Sequence, residues 1–152
     1  MLEKIISGGQ TGADRAALDF AIARGIPHGG WCPRGRLAED GAIPARYQLT
    51  ETRSSDSIQR TEWNVRDSDG TVIFSSGPTI AGGSKRTLEF ALQYQKPCLH
   101  LSGERDGNSA AKKFSAFLRE HQIKTLNVAG PRQSAEPEVV HFTRQTLEKA
   151  YL

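Results

Sequence analysis

The stretch Lys4-Ile5-Ile6-Ser7-Gly8-Gly9-Gln10-Thr11-Gly12-Ala13-Asp14 constrains the chain more than any other. A short apolar run ends in a glycine cluster and passes at once into an amphipathic segment, the pattern of strand, tight turn and helix. Gly8, Gly9 and Gly12 lack a Cβ, so the backbone can take positive φ and a ligand can approach it closely. The helix after the turn opens with unpaired N–H groups and the positive end of its dipole. Together these features form a receptor for an anion, most often a phosphate. Glycines at such a turn also serve strand–helix packing alone, and this stretch by itself does not decide between the two. The spacing is not that of a dinucleotide fingerprint: glycines at 8, 9 and 12 are not G-x-G-x-x-G, and no acidic residue stands out as a ribose partner.

The rest of the chain repeats the strand–helix alternation. A helix is expected over 13–24, with Leu18, Ala21 and Ile22 facing the sheet and Gly25 as C-cap, followed by a short strand over 26–31. Residues 32–46 form the longest irregular stretch, and a loop of that length in a compact domain is usually functional. A brief strand over 47–51, a helix over 54–66 and a β-branched strand over 71–74 come next. A second glycine turn, Gly82-Gly83-Ser84, precedes a helix over 85–95 with Leu88, Ala91 and Leu92 inward. Then come a strand over 97–101, a helix capped by Asn108, a strand over 124–128 and a last helix opened by Pro137. Short apolar strands separated by amphipathic helices predict an α/β, three-layer architecture: a mostly parallel sheet with helices on both faces. Right-handed crossovers place the strand-to-helix loops on one edge, where such sheets form their ligand crevice. Three of those loops, 8–14, 75–87 and 129–134, carry glycine beside polar or basic residues. Their agreement favours an anion-binding crevice over packing alone.

A chain of 152 residues fits one domain, 1–152, with a real core. A net charge of +3 suits a small anionic ligand as well as nucleic acid and decides little; its scatter, without a Lys/Arg block, argues against a nucleic-acid partner. Cys32 and Cys98 belong to no C-x-x-C, so a reduced, cytoplasmic protein is expected. No apolar run is long enough for a membrane span, and Met1 leads directly into the first strand without a secretory leader. His28, His100, His121 and His141 are scattered, so no protein-built metal site is expected.

Around the second turn, Gly82-Gly83-Ser84-Lys85-Arg86-Thr87 fails the P-loop pattern, because Gly83 stands where lysine is required. Lys85 and Arg86 in a first helical turn oppose the dipole, which makes sense if an anion sits there; solvated basic residues are the plainer alternative. Trp31 can stack on a planar ring while Arg34 grips a phosphate, or Trp31 can be structural beside surface arginines. Arg132, after Gly130 and Pro131, is a similar candidate. Asp14 and Glu89 are the acidic residues expected near the crevice, as acid/base groups, as caps, as arginine partners or as holders of a ligand hydroxyl.

Several blocks together resemble the molybdenum carrier proteins. These are Gly8 to Asp14, Gly30-Trp31-Cys32-Pro33-Arg34-Gly35-Arg36 with Glu39-Asp40-Gly41 and Ile43-Pro44, Arg60-Thr61-Glu62-Trp63-Asn64-Val65 with Asp67-Ser68-Asp69-Gly70-Thr71, Gly82-Gly83-Ser84, and Asn127-Val128-Ala129-Gly130-Pro131-Arg132. The resemblance implies a Rossmann-like domain of the superfamily that includes lysine-decarboxylase-like proteins. It also implies binding of the molybdenum cofactor (molybdopterin), a pterin with a terminal phosphate, by a homo-oligomer, a dimer or tetramer. The same superfamily contains phosphoribohydrolases with the signature P-G-G-x-G-T-x-x-E. Here Ala81 to Glu89 is similar but lacks the proline and the third glycine, and its threonine comes one residue late. The reading is a non-catalytic binding protein, with a nucleotide-processing hydrolase as the alternative. Its cofactor-binding residues are Gly8, Gly9, Gln10, Thr11, Gly12, Ala13, Asp14, Trp31, Arg34, Gly82, Gly83, Ser84, Lys85, Arg86, Thr87, Gly130, Pro131 and Arg132; none is assigned to catalysis or to a metal.

Overall fold

The computed structural model describes residues 2–151; Met1 and Leu152, the two ends of the domain read from the sequence, lie outside the described residues. The elements follow in the order β1 (Lys4–Ile6), α1 (Ala13–Arg24), β2 (His28–Gly29), β3 (Trp31–Cys32), β4 (Leu37–Ala38), β5 (Gly41–Ala42), β6 (Thr50–Glu51), α2 (Ser57–Arg66), β7 (Gly70–Ser75), α3 (Gly82–Gln93), β8 (Cys98–Ser102), α4 (Gly103–Asp106), α5 (Ala110–Glu120), β9 (Thr125–Ala129) and α6 (Val139–Ala150). Five strands form one parallel sheet in the order β2-β1-β9-β7-β8. The chain builds outward in one direction from β1 to β2 and in the other from β7 to β8, and β9 returns to fill the centre. The β1–β9–β7 region is therefore where the order reverses, and the turns leaving these three strands share one edge.

Side chains alternate across the sheet with the two-residue period of a strand. Ile5, Val72, Phe74, Leu126 and Val128 enter the main apolar core with Ala13, Ala17 and Phe20 of α1, Phe114 and Phe117 of α5, and Val139 and Leu147 of α6. Burying each Leu, Val or Phe there contributes about 1.5–3 kcal/mol. A smaller cluster, Leu18, Cys32, Ile43 and Tyr47, sits under the segment between β3 and β6. Among the described residues, α2 and α3 send no side chain to either cluster. They cover a mixed layer instead: Asn64, Ser84 and Thr87 from the helices and Thr71 and Asn127 from the strands are buried together with Ile6, Val65, Ile73 and Ala91. Asn127 lies beside Thr71 in register and donates Nδ2 to its hydroxyl at 3.2 Å. The two faces of the sheet thus have different interiors, and the one that buries polar groups is the one that opens.

The structure corrects several sequence boundaries. The strand expected over 26–31 breaks at Gly30, whose φ is +122° and whose Cα lies so close to the Ser7 backbone that any Cβ would collide. Beyond that kink β3 leaves the sheet and pairs with β6. Inside the stretch read as irregular, β4 and β5 make an antiparallel hairpin. It is held by Arg36, which donates to the carbonyls of Ile43, Pro44 and Tyr47, and by the Arg15–Asp40 pair at 2.6 Å. Helix α3 begins at Gly82 rather than Lys85, so the glycine pair is its first turn and not a turn before it. Ile22 and Leu92, expected inward, are exposed, because the covered face of each helix is narrower than its apolar stripe.

Candidate functional site

At the sheet edge between β1, β9 and α2–α3 lies a cavity of about 410 Å³. Its rim and floor bring together Gly8, Gln10 and Asp14 from the first turn, Gly82, Gly83, Ser84 and Thr87 from α3, and Gly130, Pro131 and Arg132 from the segment after β9. The floor is Asn127, Val128 and Ala129; α2 supplies Ser57, Arg60, Thr61 and Asn64, and Glu136 closes the far side. The three glycine turns that the sequence placed on one edge therefore border one space.

Arg60 is the cation best committed to this cavity. Its guanidinium lies flat against Gly8, where a Cβ would overlap the side chain, and Nη1 donates to the Gly8 carbonyl at 3.1 Å. Arg60 forms no ion pair among the described residues, so most of its fork is free for an anion. Helix α3 faces the same space with its N-terminus, and its N-cap, Ala81, supplies no side-chain acceptor for the first N–H groups. Ser84, in that first turn, is only 8% exposed and lines the cavity. Asn127, 3% exposed, spends one end of its amide on Thr71 and turns the other to the cavity.

The first turn behaves differently from the anion cradle expected of it. The Gln10 N–H donates to Asp14 Oδ2 at 3.2 Å and the Thr11 N–H to Gln10 Oε1 at 3.0 Å, so the chain's own side chains take these amides. Burial pushes the Asp14 carboxyl up from 3.8 to about 6, against the opposing pull of Arg60 and of hydrogen bonds from Gln10, Ser7 and Gly8. Glu136 receives the Ser76 N–H at 2.7 Å. Among the described residues no group of three or more His, Cys, Asp or Glu side chains is arranged to hold a metal ion, and no helix is long and apolar enough to cross a membrane.

The sequence profile of the circularly permuted YpsA SLOG family matches residues 5–151. The chain belongs to that family. Among solved structures, the crystal structure of a protein from Syntrophus aciditrophicus, described as a "putative molybdenum carrier protein", is similar at 53% identity and a TM-score of 0.97, covering 99% of this chain and 96% of that one. No curated protein matches the chain. The family resemblance and the Rossmann-like, mostly parallel fold read from the sequence are both borne out.

Not every residue assigned to the ligand in this SLOG-family chain reaches the cavity. Gly9 packs beneath Leu49 and Ile43. The Thr11 hydroxyl donates to Glu39 at 2.5 Å and accepts the Gln133 N–H, which straps the β4–β5 hairpin to the turn after β9. Gly12 abuts the carbonyl of Pro131, and Ala13 lies against Gly130, so both join the first turn to the third without facing the ligand space. Trp31 is turned away by the Gly30 kink: its indole meets Trp63 edge-on at 4.8 Å and donates Nε1 to Asp67 at 2.8 Å. Arg34 is exposed beyond β3, its N–H bound to the Ser54 carbonyl. Lys85, Arg86 and Glu89 lie on the exposed face of α3. Arg60, Asn64 and Asn127 stood in the sequence only as letters of the resembling blocks.

Proposed function

We propose that this chain binds a small phosphorylated heterocycle in the cavity between β1, β9 and α2–α3, with the molybdenum cofactor (molybdopterin) as the favoured ligand and a nucleotide as the alternative. One observation carries the reading: an unpaired guanidinium, an uncapped helix N-terminus and the Ser84 side chain of its first turn meet in one cavity large enough for such a ligand. Arg60, Ser84 and the first amides of α3 hold the phosphate, with Arg132 at the rim. Asn127 reads a polar edge of the ring by hydrogen bonding, and no aromatic side chain lines the cavity to stack on it. The name of the structural relative supports the choice of cofactor. The cofactor is cargo here, and no reaction step runs through it. Glu89 is exposed outside the cavity, which supports binding over glycosidic cleavage.

Native mass spectrometry of the protein as purified tests this directly. A retained phosphorylated small molecule is expected on the wild type and is expected to be lost from Arg60→Ala, whose missing charge-assisted bonds weaken binding roughly 10- to 100-fold. No retained mass, together with no binding of pterin or purine monophosphates on titration, would overturn the reading. Release of free base from nucleoside monophosphates would move it to the hydrolase.

A further inference from the structure

Two carboxyl groups line the cavity of an anion receptor, Glu136 at its far side and Asp14 beside Arg60. Asp14 is 7% exposed, stands in the first turn of α1, and shares the cavity with Arg60. Its carboxyl ties down the turn before α1 by accepting the Gln10 amide, but a neutral side chain would accept that amide as well. That bond leaves unexplained why a carboxyl group is kept beside the place where a ligand's phosphate is to sit. Two full negative charges side by side in a poorly solvated site repel strongly. The conflict disappears if one of them carries a hydrogen.

Resting on the binding reading above, we propose that Asp14 makes the cavity selective for a terminal phosphomonoester. Such a group shares one proton with the carboxyl, whereas a sulfate or a phosphodiester has none to share. The balance is simple. A singly protonated phosphate donates its P–O–H hydrogen to the ionised Asp14, or the dianion accepts the hydrogen of the neutral acid; both routes reach the same bound state, with one proton and no other bond changed. A phosphomonoester loses its second proton near pH 6, and burial pushes the Asp14 carboxyl up to about 6, so both groups change protonation in the same range of pH.

Asp14 is the more deeply buried of the two carboxyls in the cavity. From α2 only Arg60 faces it, favouring its ionised form. Glu136, beyond β9, is half-buried with one oxygen bound by the Ser76 amide, and Arg132 is exposed at the rim. On α1 itself, Arg15 is spent on the Gly9 carbonyl and Asp40. In the hairpin, Glu39 is spent on Thr11 and the Ser134 amide. The strands beneath offer the neutral Ser7 and Asn127, and the charged residues of α3 point away from the cavity.

Inorganic phosphate and sulfate, titrated calorimetrically into the intact protein, are the probes. At about pH 6.5 phosphate is expected to bind at least about tenfold more tightly than sulfate, and sulfate affinity is expected to rise about tenfold or more from pH 8 to pH 5 as Asp14 gains its proton. In Asp14→Asn the two anions are expected to bind within about threefold of each other, with the sulfate pH profile flat. Equal binding of the two anions by the wild type overturns the proposal while leaving the binding reading intact; binding of neither anion at any pH defeats the binding reading as well. If Asp14→Asn fails to fold, the wild-type sulfate profile decides alone, and a flat profile refutes the proposal.

Discussion

Asp14→Asn is expected to make the protein more stable, by about 3 kcal/mol at pH 8, and to make little difference at pH 3. The sign follows from linkage. The carboxyl titrates near its ordinary 3.8 in the unfolded chain and at about 6 in the folded one. Below the lower value both states are protonated and the group is neutral to stability. As pH rises through this window, the unfolded chain releases the proton first and is favoured; above the upper value the penalty is complete. Asparagine has no charge to desolvate, and its Oδ1 still accepts the Gln10 amide. The gain corresponds to roughly 6–12 °C in Tm, and denaturant titrations of both proteins at the two pH values measure it. An unchanged or lower stability at pH 8 would mean that the folded protein tolerates the ionised carboxylate better than its burial implies. A stabilising substitution at a cavity residue is also what a functional group held at a cost to stability should produce.

How far the sequence could be read depends on the distance over which each signal acts. Helix α1 falls on its expected bounds because Gly12 and Gly25 punctuate it locally, and the shared edge of the glycine turns follows from strand alternation and crossover hand alone. Arg60 is different. Its place depends on Gly8, which is distant in sequence and leaves room for the guanidinium, and no window around either residue records that. Trp31, open in the sequence between a stacking and a structural role, takes its place from a likewise distant partner: beyond the Gly30 break its indole meets Trp63. The first turn was legible as a turn, but whether its amides stay free depends on where the Asp14 and Gln10 side chains settle. Leu92 shows the limit of periodicity, since the covered face of α3 takes in Ala91 and leaves its apolar neighbour 71% exposed.

A second buried aspartate should respond to substitution and to pH in the opposite sense. Asp106→Ala is expected to cost about 3 kcal/mol at pH 7. The Asp106 side chain is 1% exposed and is paired with Lys113 at 2.7 Å and Arg105 at 2.9 Å. It also accepts the Ser102 N–H at 2.8 Å, so one carboxylate ties the end of β8 to α4 and α5. Alanine leaves that buried amide without an acceptor, while Arg105 and Lys113, each about half exposed, can recover water. The loss therefore stays below that of a fully enclosed pair. Arg105 above all, with Lys113 and the Ser102 amide, holds the carboxyl well below the usual carboxylate range. Its contribution is therefore present above about pH 4, where the unfolded chain is ionised, and fades as the pH falls below that. The deficit of Asp106→Ala should accordingly be large at pH 7 and shrink at pH 3, the mirror image of Asp14→Asn. Asp106→Asn, which keeps an acceptor for Ser102 but not the charge, should fall between. A deficit under about 0.5 kcal/mol at pH 7, or one that does not change with pH, would place the strength of this corner in the packing of Phe114 and Phe74 rather than in the ion pair.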